Sequence, residues 1–209
     1  MHAPWVSCWS DTAGKHWNGT QIVRTPLVTS LDGRHKAFAE IRASAVHGAG
    51  NCENTVRLFV ATDDIAAGAS AAGFQEVFKQ TPLLGQAGSP ATSLAPVAWS
   101  PDDRWLVIEL ADLYYDSDAG GLAVLLYDRR TKKTILPNLD HLAAATLKQK
   151  CSVHLLSVRG FDARSQIRLQ LADNFEDGND EPESRCFHGA ESWTLDPVKL
   201  VLHQSRASR

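Results

Sequence analysis

The chain is short of several things that would have announced a function. It carries one methionine and four cysteines, and its 21 Lys and Arg nearly balance 24 Asp and Glu, for a formal net charge of −3. The basic residues are scattered along the sequence, so no nucleic-acid partner is expected. No apolar run approaches the roughly 18 residues of a membrane span, so no span is expected either. There is no G-x-S-x-G elbow, no H-E-x-x-H, no phosphate-binding loop and no dinucleotide fingerprint. Their absence removes the enzyme classes that short motifs announce, and no catalytic residue stands out. No cysteine pair has C-x-x-C spacing and no His sits at zinc-ligand spacing, so neither a metal nor a cofactor is expected.

What is present is ordinary for a globular protein. With 209 residues, 44% hydrophobic and 22% charged, the chain is long enough to bury a sizeable core and too apolar to be disordered throughout. Cys52 and Cys186 sit in polar stretches, Cys8 in a Trp-rich one and Cys151 before an alternating run. Four cysteines allow three pairings, and free structural thiols, a disulfide or a reactive thiol all stay open. Met1 to Trp5 contain neither the basic nor the apolar part of a signal peptide. Together with the even cysteine set, this leans toward an exported or periplasmic protein whose leader has been removed.

One turn occurs twice. Ser30, Leu31, Asp32, Gly33 and Arg34 form the first copy, and Ser100, Pro101, Asp102, Asp103 and Arg104 the second. Each lies between two short runs of strand-forming residues. Ser at the first position, Pro at the second, Asp at the third and a residue tolerant of the left-handed region at the fourth suit a type I turn closing an antiparallel hairpin. Asp32, Gly33, Pro101 and Asp102 are therefore assigned to structural turns. Gly33 takes the left-handed position freely, Asp103 at a modest cost.

Around these turns the sequence divides into a Trp-rich segment (1–20), a single β domain (21–203) and a tail (204–209). The domain reads as three units, about 21–80, 95–137 and 151–203. Strands are expected near 22–29, 35–43, 55–62 and 74–80; then 95–99, 104–111, 121–128 and 133–136. The apolar run Leu122–Tyr127 is long enough for a strand buried on both faces, and 140–150 favours a helix. The third unit has strands at 152–158, 166–172, 191–196 and 197–203, with an acidic loop between the middle two. Its turn signature is missing, residues 159–164 standing where the Ser–Asp turn belongs.

The stretch from Val97 to Ile108, with Trp99, Ser100, Pro101, Asp102, Asp103 and Arg104 at its centre, resembles the WD40-like repeat of bacterial β-propellers of the TolB and tricorn type. That repeat reads W-S-P-D-G-(R/K)-x-(L/I)-A-F and continues to a strand ending in aspartate. Val124 to Asp128 fits this second half. Ser30 to Phe38 and Leu58 to Asp63 resemble another copy, with Leu31 in place of Pro. The resemblance implies an all-β, propeller-like array of about three four-stranded antiparallel blades, the alternative being an irregular β-sandwich. Three blades do not close a ring. A homodimer forming a six-bladed ring, a partner protein, or capping by the Trp-rich segment and the 140–150 helix would answer the open ends.

For a binding site the best candidates are Tyr114, Tyr115, Asp116 and Asp118, in the loop after the second strand of the middle unit. Alternating acids beside two tyrosines suit a ligand-contact loop, although the spacing lacks the distal Glu of a calcium loop. The expected function is a non-catalytic binding or assembly module that engages a protein or peptide. One alternative is a hydrolase using acidic or His residues on the loops near 44–54, 112–120 and 173–190. Another is a structural subunit pairing by its sheet edges.

Overall fold

A chain whose strand-forming runs are punctuated by hairpin turns can satisfy its backbone locally, strand by strand. The computed structural model describes residues 20–45, 52–61, 73–80, 91–113, 120–173, 186–187 and 189–205, and these form an all-β fold with one short helix. Three antiparallel sheets follow one another along the sequence. Sheet 1 comprises β1 (Thr20–Arg24), β2 (Val28–Thr29), β3 (Lys36–Ala45), β4 (Cys52–Ala61) and β5 (Phe74–Gln80). Sheet 2 comprises β6 (Ala91–Trp99), β7 (Trp105–Leu113), β8 (Gly120–Asp128) and β9 (Lys133–Ile135). Helix α1 (Leu139–Leu147) leads into sheet 3, made of β10 (Val153–Phe161), β11 (Ile167–Asp173), β12 (Glu191–Asp196) and β13 (Val201–Gln204). In sheets 2 and 3 strands adjacent in sequence are adjacent in space, and in sheet 1 the same holds from β3 to β5.

Sheet 1 departs from the expected continuous first strand. Both β1 and β2 pair with β3, and the break between them falls at Pro26, which has no N–H to give. Thr25 bridges the gap, donating its N–H to the Ala39 carbonyl at 2.9 Å and accepting the Ala39 N–H on Oγ1 at 2.9 Å. The sheet therefore keeps a four-strand plan with its first strand interrupted. Register places Phe38 opposite Phe59. These rings stack 5.0 Å apart, and Phe74 meets Phe38 edge-on at the same distance. Ala37, Ala39, Ile41 and Ala43 alternate with that cluster on the other face, fully buried with Val56 and Leu58.

Burial sets sheets 2 and 3 apart. Trp105, Leu106, Val107 and Ile108 of β7 are all buried, as are Val124, Leu125, Leu126 and Tyr127 of β8, so this part of sheet 2 is covered on both faces as the apolar run foretold. Sheet 3 alternates instead. Ile167, Leu169 and Leu171 of β11 and Trp193 and Leu195 of β12 are buried, whereas Arg159, Arg168 and Ser192 face solvent.

The described chain falls into two compact units, one running to Pro96 with residues 109–121, the other comprising Val97–Ile108 and Leu122–Arg209. Within the second unit, Trp105, Val107, Val124 and Leu126 of sheet 2 share a core with Leu155, Val158, Ile167, Leu169, Trp193 and Leu195 of sheet 3. The two sheets thus pack face to face. Their first strands also meet. A Cβ placed on Gly160, two residues before the β10–β11 turn, would lie 3.2 Å from the Cβ of Ala98, two residues before the β6–β7 turn.

Helix α1 runs over 139–147 rather than the expected 140–150. Asn138 caps it, accepting the His141 N–H at 2.9 Å, and Lys148 ends it in the left-handed region at φ 58°. Thr146 Oγ1 donates to the Leu202 carbonyl at 3.2 Å, so the helix covers part of the edge strand β13. Among the described residues no helix is long and apolar enough to cross a membrane.

One cysteine pairing is settled. Cys151 is bonded to Cys186 across a sequence separation of 35. Closing a loop of that size removes about 4 kcal/mol of chain entropy from the unfolded state in the loop-closure model. Asp173 reinforces the same point, its carboxylate accepting the N–H groups of Cys186 at 3.0 Å and Phe187 at 3.3 Å. Cys8 and the side chain of Cys52 lie outside the described residues.

Gly160 sits at φ +80° against Ala98, while Gly33 at φ +75° has open space around it. Gly33→Ala is expected to cost about 1 kcal/mol, the left-handed strain alone. Gly160→Ala should cost at least 1 kcal/mol more, because the new methyl also presses on the other sheet. Urea denaturation of both variants measures the difference, and equal losses would mean that the two sheets do not meet there.

Candidate functional site

Ser30 and Ser100 begin hairpins built alike. The Ser30 hydroxyl donates to Asp32 Oδ1 at 2.6 Å and accepts the His35 N–H at 2.9 Å, while Asp32 accepts the Arg34 N–H at 3.0 Å. In the second copy Ser100 donates to Asp102 at 2.5 Å and accepts the Trp105 N–H at 2.9 Å, with the Arg104 N–H 3.4 Å from Asp102. Both turns close with a backbone bond from the fourth residue to the first, at 3.0 and 2.8 Å. Gly33 and Asp103 occupy the left-handed position, Asp103 at φ 54°. The Ser30 hydroxyl, helped by the Arg34 N–H, holds the Asp32 carboxyl below its ordinary range. Asp32, Gly33, Pro101 and Asp102 are therefore turn residues as expected.

Sheet 3 lacks the Ser–Asp signature, as expected, yet it has a turn of the same kind. Asp162 replaces the serine and does the capping itself, its Oδ1 accepting the N–H groups of Arg164 at 2.8 Å and Gln166 at 2.9 Å. Ser165 takes the left-handed position at φ 60° and donates its N–H to the Asp162 carbonyl at 3.1 Å. The loop is one residue shorter, so the motif fails as a string while the lock survives.

A second lock sits where the third strand of the sheet ends. Asp128 closes β8, and Arg104, from the first hairpin, grips it with two bonds, Nη2 at 3.0 Å and Nε at 3.3 Å. Arg104 also lies over the Trp105 ring, 4.8 Å from its centre. Burial pushes the Asp128 carboxyl up, but Arg104, the Arg130 N–H and the Thr131 hydroxyl together hold it below the usual carboxylate range. Asp196 ends β12 in the same way. It accepts the N–H groups of Val198 at 2.8 Å and Lys199 at 2.9 Å. These two bonds with the Gln166 side chain outweigh burial, and its carboxyl too lies low. Pro197 to Leu200, expected as the start of a strand, is consequently a turn, with Leu200 left-handed at φ 52°.

In sheets 2 and 3 both hairpins, first-to-second and third-to-fourth strand, lie at one end of the sheet. Here Asp128 is buried in its lock, Asp103, Asp162 and Asp196 are half-buried, and Asp102 is exposed. Arg130, Lys132, Lys133, Arg164 and Lys199 are exposed, and Val198 among them is 61% exposed. Arg129 is tied down, its Nε donating to the Asp103 carbonyl at 3.0 Å. Chemically these hairpins combine exposed cations with carboxylates that keep their negative charge.

No family model, curated protein or solved structure matches the chain. The site must be read from its own chemistry.

Tyr114, Tyr115, Asp116 and Asp118 lie outside the described residues, as do most of the positions in the three loops considered for a hydrolase. Cys186 is consumed in the disulfide, which removes it as a reactive thiol. His35 is buried in the first hairpin, and His154 is half-buried on β10. Sequence reading treated the basic residues as scattered, which is true along the chain. Their placement is positional, since Arg129, Arg130, Lys132, Lys133, Arg164 and Lys199 all fall in hairpins.

Two measurements follow from the locks. Asp103 holds a left-handed conformation with its Oδ1 buried and unpartnered among the described residues. Asp103→Gly, which restores the residue of the first copy, is expected to raise stability by about 1 kcal/mol in urea denaturation. A carboxyl whose folded pKa lies below its unfolded value, about 3.9, contributes stability that is complete above that value and lost as pH falls through the folded one. Asp128→Asn is therefore expected to be less stable than the parent at pH 7, and the gap should narrow as pH falls below about 4. Parallel stability curves from pH 6 to 3 would show that Asp128 is not held in this way.

Proposed function

We propose that the protein is a non-catalytic binding module of propeller-like build, in which stacked four-stranded sheets present one fixed end to a protein or peptide partner. The observation that carries this reading is the shared core of sheets 2 and 3, with the described hairpins of each sheet locked by a carboxylate. A surface held this firmly has little conformational entropy left to lose on binding. The resemblance of Val97–Ile108 and Val124–Asp128 to the TolB and tricorn repeats supports the same reading. So does the recurrence of the turn lock in sheet 3.

Closure into a six-bladed ring by two copies is less favoured by the chemistry of sheet 3. Its outer face carries Arg159 and Arg168, with Arg159 bonded to Gln170 at 2.6 Å, and burying those guanidinium groups under a second sheet has a large desolvation cost. Edge pairing remains a second reading because β5, seven residues long, forms the edge of sheet 1 among the described residues.

Light scattering on a sizing column, combined with a screen of ester, glycoside, phosphoester and peptide substrates, separates these readings. A mass near 22.8 kDa with no turnover is expected for a free-standing binding module. A doubled mass would favour edge pairing or a ring, and turnover abolished by Asp116→Asn with Asp118→Asn would favour the hydrolase.

A further inference from the structure

We propose that the bond between Asp32 and Gly33 is a site of backbone isomerisation, which the Ser30 turn holds silent while the β2–β3 hairpin is closed. The proposal does not depend on the binding-module reading.

The reaction needs only water. The Gly33 nitrogen attacks Cγ of Asp32, its proton leaves with the carboxyl hydroxyl as water, and a five-membered imide forms. A water molecule then reopens the ring. Opening at the Cγ carbonyl restores the original bond. Opening at the main-chain carbonyl leaves Gly33 attached through Cγ, so the main chain runs through Cβ and is one carbon longer.

Sequence and exposure favour the attack. Asp32 and Gly33 are both exposed, and a Cβ at Gly33 would meet nothing within 4 Å, so neither a side chain nor a neighbour shields the nitrogen. The other two turns differ here, because Asp102 is followed by Asp103 and Asp162 by Ala163.

Three features of the closed turn oppose it. Gly33 donates its N–H to the Ser30 carbonyl at 3.0 Å, which engages the attacking nitrogen. Asp32 Oδ1 takes the Ser30 hydroxyl at 2.6 Å and the Arg34 N–H at 3.0 Å, which fixes the carboxyl within the turn. The same bonds favour its ionised form, which has no hydroxyl to lose. Ser30 is itself only 5% exposed, and its Oγ accepts the His35 N–H at 2.9 Å, so the hydroxyl stays in place.

Opening the hairpin removes all three restraints together. In the isomerised product the carboxyl hangs directly on Cα, one bond short of the reach that the Ser30 and Arg34 contacts use. The turn therefore keeps a covalent record of having opened.

The test is peptide mapping of the full chain after incubation at neutral pH. Trypsin releases Thr25–Arg34, whose two forms have equal mass and separate by reversed-phase chromatography. An endoprotease that cuts before aspartate spares the isomerised form. Folded parent, Ser30→Ala and Ser100→Ala are compared with the parent in urea. Ser30→Ala is expected to isomerise about tenfold faster than the folded parent, as loss of a hydrogen bond to a charged group implies. The parent in urea should be at least as fast. Ser100→Ala, which removes the matching hydroxyl from the other turn, should leave Asp32 at the parent rate.

A folded Ser30→Ala variant that isomerises at the parent rate would overturn the proposal. Equal rates for the folded parent and the parent in urea would do the same. Equal acceleration by Ser100→Ala would also overturn it, by assigning the effect to overall stability. If Ser30→Ala does not fold, judged by circular dichroism, the ratio between folded parent and urea reads the same protection.

Discussion

Every hairpin leaves backbone N–H groups beyond the last ladder bond, and the described fold depends on carboxylates that reach back to take them. Asp32, Asp102, Asp162 and Asp196 each accept at least one such amide within their own turn, and Asp128 accepts the Arg130 amide while gripping Arg104. An aspartate suits this task because its short side chain can curl over the two residues that follow it. Where serine opens the turn, the hydroxyl relays between the carboxylate and an amide five residues on.

Packing then turns local closure into a shared architecture. Sheet 2 buries successive side chains along β7 and β8, so it has no polar face there, whereas sheet 3 keeps arginine, serine and threonine on one side. Gly160 marks where the two sheets come closest, at a backbone angle that favours glycine. Arg104 is a cross-link within sheet 2, tying the first hairpin to the end of the third strand and covering Trp105. Helix α1 completes sheet 3 from its outer edge, since a strand capped by Thr146 presents one fewer free carbonyl to an unwanted neighbour.

Much of the fold was legible in the sequence because its signals are local. Ser30 with Asp32 and Ser100 with Asp102 announce their hairpins through turn chemistry, and the run Leu122–Tyr127 announces a strand covered on both faces. Asp162 was missed because it merges two roles in one side chain and shortens the loop, so no string of letters carries over from the other copies. Pro26 and Thr25 were read as strand because the interruption they make is healed by a side chain, which no propensity records. The packing of sheets 2 and 3 was illegible for a different reason, since it is set by burial along β7, β8, β11 and β12.

The bond between Cys151 and Cys186 carries one more implication. It joins the residue just before β10 to the segment just before β12, so the 35-residue stretch it closes contains β10, β11 and the acidic run after them. A single backbone cut inside that stretch does not release a fragment. The two pieces stay covalently one molecule until the bridge is reduced, and Asp173 still holds the amides at its base. Peptide-bond continuity and molecular integrity are therefore separable in this region, and a protease and a reductant must act together to take sheet 3 apart.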